Sequence, residues 1–128
     1  MRSLFRQFFA SRVRSFRYAF QGIATFFRTQ VNARIHLLAV IVIKGLGFWL
    51  KLSPGEWADI FLCMGLVMVT EAINTALEYL TDLASPDHHP LAGKAKDVAA
   101  GAVLLSVMFC GVVWGIVFIP KLYLLLNA

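Results

Sequence analysis

The pattern of polar and apolar positions changes part of the way along one helical segment. Residues 57–70 contain one charge, Asp59, and are otherwise almost entirely apolar. Four polar residues follow at spacings of three, four and four: Glu71, Asn74, Glu78 and Asp82. At about 100° per residue these positions fall within an arc of roughly 80°, so they form one polar stripe on a helix. A soluble amphipathic helix would carry a similar stripe, but the apolar half before it favours a helix that enters a membrane.

Three apolar segments approach or exceed the roughly 20 residues that cross a bilayer core: 35–52, 57–80 and 98–126. Hydrophobic residues make up 59% of the chain and charged residues 15%, which is too apolar for an ordinary soluble domain, although a buried soluble core is the alternative. Pro120 is expected to end or kink the third segment. Lys44, inside the first, either snorkels to the surface or faces a bundle interior. The sequence thus predicts an all-α membrane protein with one domain, residues 1–128.

Positive charge is concentrated before the first span. All seven arginines lie within residues 1–34, and the first acidic residue is Glu56. This bias predicts a cytoplasmic N-terminal region, a cytoplasmic loop at residues 82–96, and an external turn near residues 51–56. Because arginine alternates with aromatic residues, residues 1–34 are predicted to form an amphipathic helix on the anionic membrane surface, with an organellar transit peptide as the alternative. Nucleic-acid binding is not expected, since these arginines lie beside membrane spans.

Common catalytic and redox motifs are missing from the sequence. It has no Gly-rich phosphate loop, no nucleophile elbow and no zinc-binding HExxH. Cys63 and Cys110 lie inside predicted spans and are interpreted as small apolar residues. If the protein uses ATP, an unconventional site must bind it.

Depth along the second span separates the polar stripe into two chemical environments. Counted from Trp57, Glu71 lies about 21 Å along the helix, whereas Glu78 and Asp82 lie about 32 and 38 Å along it. Glu71 is therefore predicted to be submerged, where a carboxylate can act as a general base toward a lipid hydroxyl. Carboxylates in water can bind Mg²⁺ together with nucleotide phosphates. Lys96, beside Asp97, supplies a cation for such phosphates.

Residues 71–104 contain the pattern ExxNTALExxxDxxxxxxHPLAxxAKDxAAGAVL, supported upstream by SFRYAFQGI at 15–23 and NARIH at 32–36. This pattern closely resembles the signature of the small bacterial membrane kinases known as the diacylglycerol kinase or undecaprenol kinase family. The resemblance covers nearly the whole chain. It implies a homotrimer of three-span protomers with an N-terminal surface helix, in the bacterial cytoplasmic (inner) membrane. It also implies MgATP-dependent phosphorylation of a lipid alcohol, at sites shared between protomers on the cytoplasmic side.

The resemblance implies a role for each matching residue. Glu71 would accept the proton of the lipid hydroxyl, Asn74 would orient the site, and Arg34 would shape the lipid entrance. Glu78 would bind Mg²⁺. The residues expected at the nucleotide or its phosphates are Tyr18, Gln30, Glu78, Asp82, Asp87, His89, Lys96 and Asp97.

Gln30 departs from the family pattern. The family often has a glutamate there that shares the metal with the position of Glu78, and a neutral amide oxygen is a weaker magnesium ligand. Either water or a substrate phosphate completes the metal shell, or this protein binds the metal less tightly. An inactive homologue is the further possibility that this departure leaves open.

Two function classes remain at the level of sequence. One is a lipid kinase, and the other is a noncatalytic trimeric membrane protein, such as a small channel or an assembly partner. An ion path should continue polar groups toward the outer leaflet, and residues 57–70 offer almost none, which favours the kinase. The HPLA and DVAAGAVLL segments look more like undecaprenol kinases than diacylglycerol-specific ones, but a single sequence does not decide between the two lipids.

Overall fold

A computed structural model describes residues 2–127 and the side chains of residues 6–127. The described chain is all helical: α1 (Arg2–Thr29), α2 (Val31–Trp49), α3 (Pro54–Ala84) and α4 (Pro90–Leu126). It divides into two compact units, residues 1–31 and residues 32–128. The helices α2, α3 and α4 are long and apolar enough to cross a membrane, which confirms the predicted fold class.

In the first unit, apolar residues of α1 cluster on one side of the helix, although Arg6 and Arg12 fall on that side too. Val13, Phe16 and Phe20 fall within about 60° of one another around the helix, and each is more than half exposed. Arg14 and Arg17 fall on another arc. An apolar face that the protein leaves uncovered, beside a basic face, is typical of a helix that lies at a membrane surface.

The turn between α2 and α3 is fixed by a cap at each helix end. Leu52 donates its backbone N–H to the Gly47 carbonyl at 3.0 Å, and Lys51 donates to Phe48 at 3.3 Å, which is the Schellman arrangement. Lys51 adopts a left-handed conformation with φ of 52°. The first segment was predicted to run through residue 52, but this reversal ends α2 at Trp49. At the start of α3, Ser53 and Glu56 form a reciprocal capping box.

The second unit is organised around an antiparallel pair, α3 and α4. At one end Lys121 forms an ion pair with Glu56 at 3.1 Å. At the other end Lys96 pairs with Asp82. Apolar residues of all three helices and of the α2–α3 turn form the buried core between them: Ile43, Leu52, Ile60, Met64 and Val117. A second buried cluster contains Cys63, Val67 and Cys110, and both cysteines are free thiols, as the sequence predicted.

Helices α3 and α4 extend beyond the predicted spans. Pro90 begins α4 eight residues before the predicted start at 98, because His89 caps the helix and Pro90 fits its first turn. Helix α4 also continues through Pro120 to Leu126, so Pro120 does not end it. Lys44 is exposed on α2 and does not face the interior of this unit.

Candidate active site

The polar stripe changes from buried to exposed along α3. Glu71 is 2% exposed and Asn74 is 7% exposed. Glu78, two turns after Glu71, is half-buried, and Asp82 is exposed. The exposure of the four side chains therefore increases from Glu71 to Asp82 along one helix face.

Asn74 connects the buried and hydrated parts of the stripe. Its Nδ2 donates a hydrogen bond to Oε1 of Glu78 at 3.1 Å. Its Oδ1 is buried and has no hydrogen-bond partner among the described residues. A buried acceptor without a donor costs about 1–3 kcal/mol. Such an atom is therefore well suited to accept a hydrogen bond from a ligand or from a bound water.

Thr75 is a buried polar residue of this region that sequence reasoning missed. Its Oγ1 donates to the backbone carbonyl oxygen of Glu71 at 3.0 Å, within the helix. Threonine one turn after an acidic residue is the signal that could have found it. Because the hydroxyl is satisfied locally, Thr75 adds no free donor to the site.

Asp82 and Lys96 join the ends of α3 and α4. Lys96 Nζ donates to Asp82 Oδ1 across the loop between the helices. The Asp82 side chain is 64% exposed and the Lys96 side chain is 39% exposed, so water weakens their attraction. The pair presents a carboxylate and an ammonium group side by side at the hydrated end of the hairpin.

The loop between α3 and α4 is held by side-chain hydrogen bonds at both ends. Ser85 ends α3 by donating its N–H to Thr81 O at 2.9 Å, and its Oγ donates to Asp87 O at 2.9 Å. His89 is the N-cap residue of α4, and its Nδ1 accepts the N–H of Leu91 at 3.2 Å. His89 was predicted to lie near a nucleotide, and the structure gives it this capping role as well.

A polar cavity of about 340 Å³ lies between the loop and the facing ends of the two helices. Four residues predicted at the nucleotide line it: Asp82, Asp87, His89 and Lys96. It is also lined by His88, which adjoins the predicted residues Asp87 and His89, and by two polar residues that sequence reasoning did not assign to the site, Thr81 and Ser85. A hydrated cavity with an ammonium group beside the first turn of a helix can accept phosphate oxygens.

Other predicted site residues lie outside this cavity. Asp97 is exposed on α4 and does not line the cavity, and Arg34 is exposed near the start of α2. Tyr18 lies on α1 and is 66% exposed. Gln30 lies between α1 and α2, where its N–H donates to Phe26 O at 3.0 Å. Glu71, Asn74 and Glu78 do not line the cavity either, and the roles of all the predicted site residues stay predictions.

The described residues contain no group of three histidine, cysteine, aspartate or glutamate side chains that could hold a metal ion. Mg²⁺ does not require one, since it is commonly bound by one or two carboxylates together with substrate phosphates and water. The half-buried carboxylate of Glu78, next to the unpartnered Oδ1 of Asn74, is an oxygen donor set of that limited kind. The residues therefore fit magnesium that arrives with a nucleotide.

Comparison with known proteins gives a consistent relationship. A family model for prokaryotic diacylglycerol kinase matches residues 17–118. An undecaprenol kinase of Bacillus subtilis is 40% identical over 109 residues, which cover 85% of this chain and 89% of that protein. A diacylglycerol kinase of Synechocystis is 41% identical over 84% of this chain and 62% of its own length. A diacylglycerol kinase of Escherichia coli is 26% identical over 76% of this chain and 80% of its own length.

The family match includes α2, α3 and the loop cavity, and most of α4. It therefore covers the whole polar stripe and both residues of the Asp82–Lys96 pair. This chain belongs to the prokaryotic diacylglycerol kinase family, a family of membrane lipid kinases.

Proposed function

We propose that this protein transfers the γ-phosphoryl group of ATP to the hydroxyl group of a membrane lipid alcohol, with Mg²⁺ as the cofactor. The observation that carries the proposal is the gradient along α3, from buried Glu71 to exposed Asp82. The lipid hydroxyl lies in the membrane and the nucleotide in water, so phosphoryl transfer from one to the other needs a site at the boundary between membrane and water. The polar stripe crosses that boundary.

Glu71 is the proton acceptor in this proposal. The lipid hydroxyl oxygen attacks the γ-phosphorus, its proton passes to the Glu71 carboxylate, and ADP leaves with the bond between the β- and γ-phosphoryl groups broken. Burial supports this role, because a carboxylate held away from water meets an apolar substrate without competing solvent. Asn74, one turn further along, has the free acceptor Oδ1 that can orient the substrate hydroxyl or a bound water.

The cavity at the end of the hairpin is the proposed site for the nucleotide. Lys96 would contact phosphate oxygens, and its ion pair with Asp82 holds the ammonium group at the cavity wall. Asp87 and His89 are proposed contacts from the loop. Tyr18 and Asp97 complete the proposed nucleotide contacts on the basis of the family pattern alone.

Mg²⁺, when bound, would neutralise charge on the nucleotide phosphates during transfer. Glu78 is its proposed protein ligand, oriented by the 3.1 Å hydrogen bond from Asn74. Gln30 is the second proposed ligand, from the family pattern, and its amide oxygen is a weaker donor than a carboxylate. The magnesium requirement is therefore proposed to be higher than in relatives that have glutamate there.

A homotrimer with shared sites, on the cytoplasmic side of the bacterial inner membrane, is part of the proposal. Arg34 is proposed to shape the lipid entrance. Large apolar side chains along α4 are exposed in the single chain, including Leu104, Phe109 and Ile116, and lipid or further copies would cover them. The concentration of arginine in residues 1–34 supports a cytoplasmic N-terminus.

A noncatalytic ion path receives no support from the buried residues of α3. The buried positions before Glu71 are all apolar: Ile60, Cys63, Met64 and Val67. A path would require polar groups at those positions. The buried polar groups of α3 instead begin at Glu71.

The test is transfer of radiolabel from γ-labelled ATP to lipid by the purified protein in mixed micelles. Undecaprenol and diacylglycerol are offered separately, since an undecaprenol kinase and a diacylglycerol kinase are 40% and 41% identical to this chain, respectively. Labelled lipid phosphate from either alcohol, dependent on Mg²⁺, is the expected result, and the ratio of the two rates identifies the preferred lipid. No label in either lipid, with ATP still bound, would contradict the proposal.

A further inference from the structure

A second cavity, of about 420 Å³ and open to the surface, lies at the far end of the α3–α4 hairpin from the Asp82–Lys96 pair. Asp82 follows Pro54, the first residue of α3, by 28 positions, which is about 42 Å along a helix. That length matches the roughly 40–45 Å thickness of a bilayer with its headgroups. In a bilayer that α3 crosses, the two cavities would therefore lie in the headgroup layers of opposite leaflets.

The lining of this cavity combines two lysines with four large apolar side chains: Trp49, Leu50, Lys51, Lys121, Leu124 and Leu125. Trp49, Leu124 and Leu125 are each at least half exposed, so the protein leaves this apolar surface uncovered. No carboxylate is among the lining residues. A small water-soluble anion would contact the lysines but not the apolar side chains. A phospholipid can contact both, because its phosphate group is linked to apolar chains.

Lys51 occupies a backbone position that normally favours glycine. It is the residue in the left-handed conformation that closes the Schellman cap of α2, and its φ is 52°. Lysine is uncommon there, because its Cβ crowds the backbone. The residue that closes this cap therefore also places a cation at the cavity wall.

Lys121 is held at the other side of the cavity by α3. Its Nζ lies 3.1 Å from Oε2 of Glu56, which also accepts the N–H of Ser53 at 2.6 Å. An ammonium group has three N–H donors, so Lys121 retains donors for a second anion after pairing with Glu56. The other nearby carboxylate, Asp59, is exposed one turn further along α3.

We propose that this cavity binds the phosphate group of an anionic phospholipid from the leaflet opposite the kinase site. Lys51 and Lys121 contact the phosphate, while Trp49 and the two leucines contact the glycerol and the first part of the acyl chains. Tryptophan at headgroup depth suits this role. The proposal does not depend on catalysis, so it can fail while the proposed function holds.

The experiment uses Trp49 as a reporter within the full-length protein. The protein is reconstituted in phosphatidylcholine vesicles that contain a minor fraction of brominated phosphatidylglycerol or of brominated phosphatidylcholine, since bromine quenches tryptophan fluorescence at contact. The same measurement on Trp49→Phe is subtracted, which leaves the Trp49 signal. Lys51→Gln removes one cation, and Lys51→Arg is the matched control that keeps it.

The proposal predicts that phosphatidylglycerol occupies the position next to Trp49 about fivefold more readily than phosphatidylcholine, as expected for one lysine at an anionic headgroup. Lys51→Gln should reduce this preference toward parity, and Lys51→Arg should keep it. Inorganic phosphate should not displace the lipid. Equal quenching by the two lipids in the native protein, no quenching of Trp49 at all, or an unchanged preference in Lys51→Gln would overturn the proposal. Absence of quenching would indicate that protein, such as a second copy of the chain, covers the cavity.

Discussion

Asn74 Nδ2 donates a hydrogen bond to Glu78 Oε1 at 3.1 Å, across one turn of α3. The amide is buried and the carboxylate is half-buried, so the contact orients one Glu78 oxygen where the helix face changes from buried to exposed. The other Glu78 oxygen has no such constraint from Asn74. This geometry leaves a carboxylate oxygen available for a metal ion that enters with a nucleotide.

Replacement of Glu78 should therefore affect metal dependence before it affects folding. Glu78→Gln keeps the shape of the side chain but removes the anionic oxygen, and we expect a higher magnesium concentration for half-maximal lipid phosphorylation. The measurement is a magnesium titration at saturating ATP and lipid. Asp59→Asn, a carboxylate-to-amide change on the exposed side of the same helix, is the control. A Glu78→Gln titration that overlies the native curve would remove Glu78 from the metal site.

Replacement of Lys96 should weaken the interaction with ATP more than it lowers the free energy of unfolding. Its ion pair with Asp82 is well exposed, so its loss is expected to cost about 1 kcal/mol or less of unfolding free energy. If the ammonium group also contacts phosphate, Lys96→Gln should raise KM for ATP by roughly tenfold or more. The double variant Asp82→Lys with Lys96→Asp keeps an ion pair between the two positions. It moves the ammonium group from α4 to α3, away from its proposed contact with phosphate. Full activity in the double variant would show that the pair is only structural.

The separation of Glu71 and Glu78 predicts that two protomers contribute to each site, under the proposed trimer. Seven residues of one helix separate their backbones by about 10 Å along the axis, a long interval for groups that act on one phosphoryl group. At a low magnesium concentration, where Glu71→Gln and Glu78→Gln subunits each have little activity alone, mixed trimers of the two should regain activity. Crosslinking must first verify that the subunits mix. Verified mixed trimers as inactive as both parents would mean that each protomer supplies both groups itself.

Gly47 should be required for the packing of the α2–α3 turn. A Cβ at this position would lie 2.8 Å from Trp57 Cη2 and 2.9 Å from Leu52 Cδ1. Gly47→Ala should therefore destabilise the protein by about 1–3 kcal/mol, observed as a lower Tm in detergent. Gly45→Ala is the matched control, because a Cβ there meets no atom within 4 Å and should leave Tm unchanged or raised. Equal Tm values for the two variants would contradict this packing.

The sequence predicted the polar stripe as one helix face, because helical periodicity determines which residues share a face. Segment limits were less accurate. A search for apolar runs begins the last span at residue 98, whereas the capping hydrogen bond of His89 begins α4 at Pro90. Likewise, the left-handed conformation of Lys51 ends α2 before the apolar run ends.

The sequence predicted several residues of the loop cavity, but not that they would form a cavity. Asp82 and Lys96 are 14 positions apart, and their ion pair depends on the geometry of the loop between them. That geometry comes from Ser85 and His89, whose side chains bond to backbone atoms. Hydrogen bonds of this kind leave little trace in hydrophobic periodicity, so Thr81 and Ser85 were not assigned to the site.

The proposed reaction depends most directly on Glu71, the buried carboxylate at the start of the stripe. The decisive measurement is the single-turnover rate of γ-phosphoryl transfer to lipid by Glu71→Gln, with ATP binding measured on the same sample. Glutamine preserves the shape of the side chain and cannot accept the hydroxyl proton. A rate lowered by roughly 10² or more with unchanged ATP affinity is the predicted result. A rate close to that of the native protein would contradict the assignment of Glu71 as the proton acceptor.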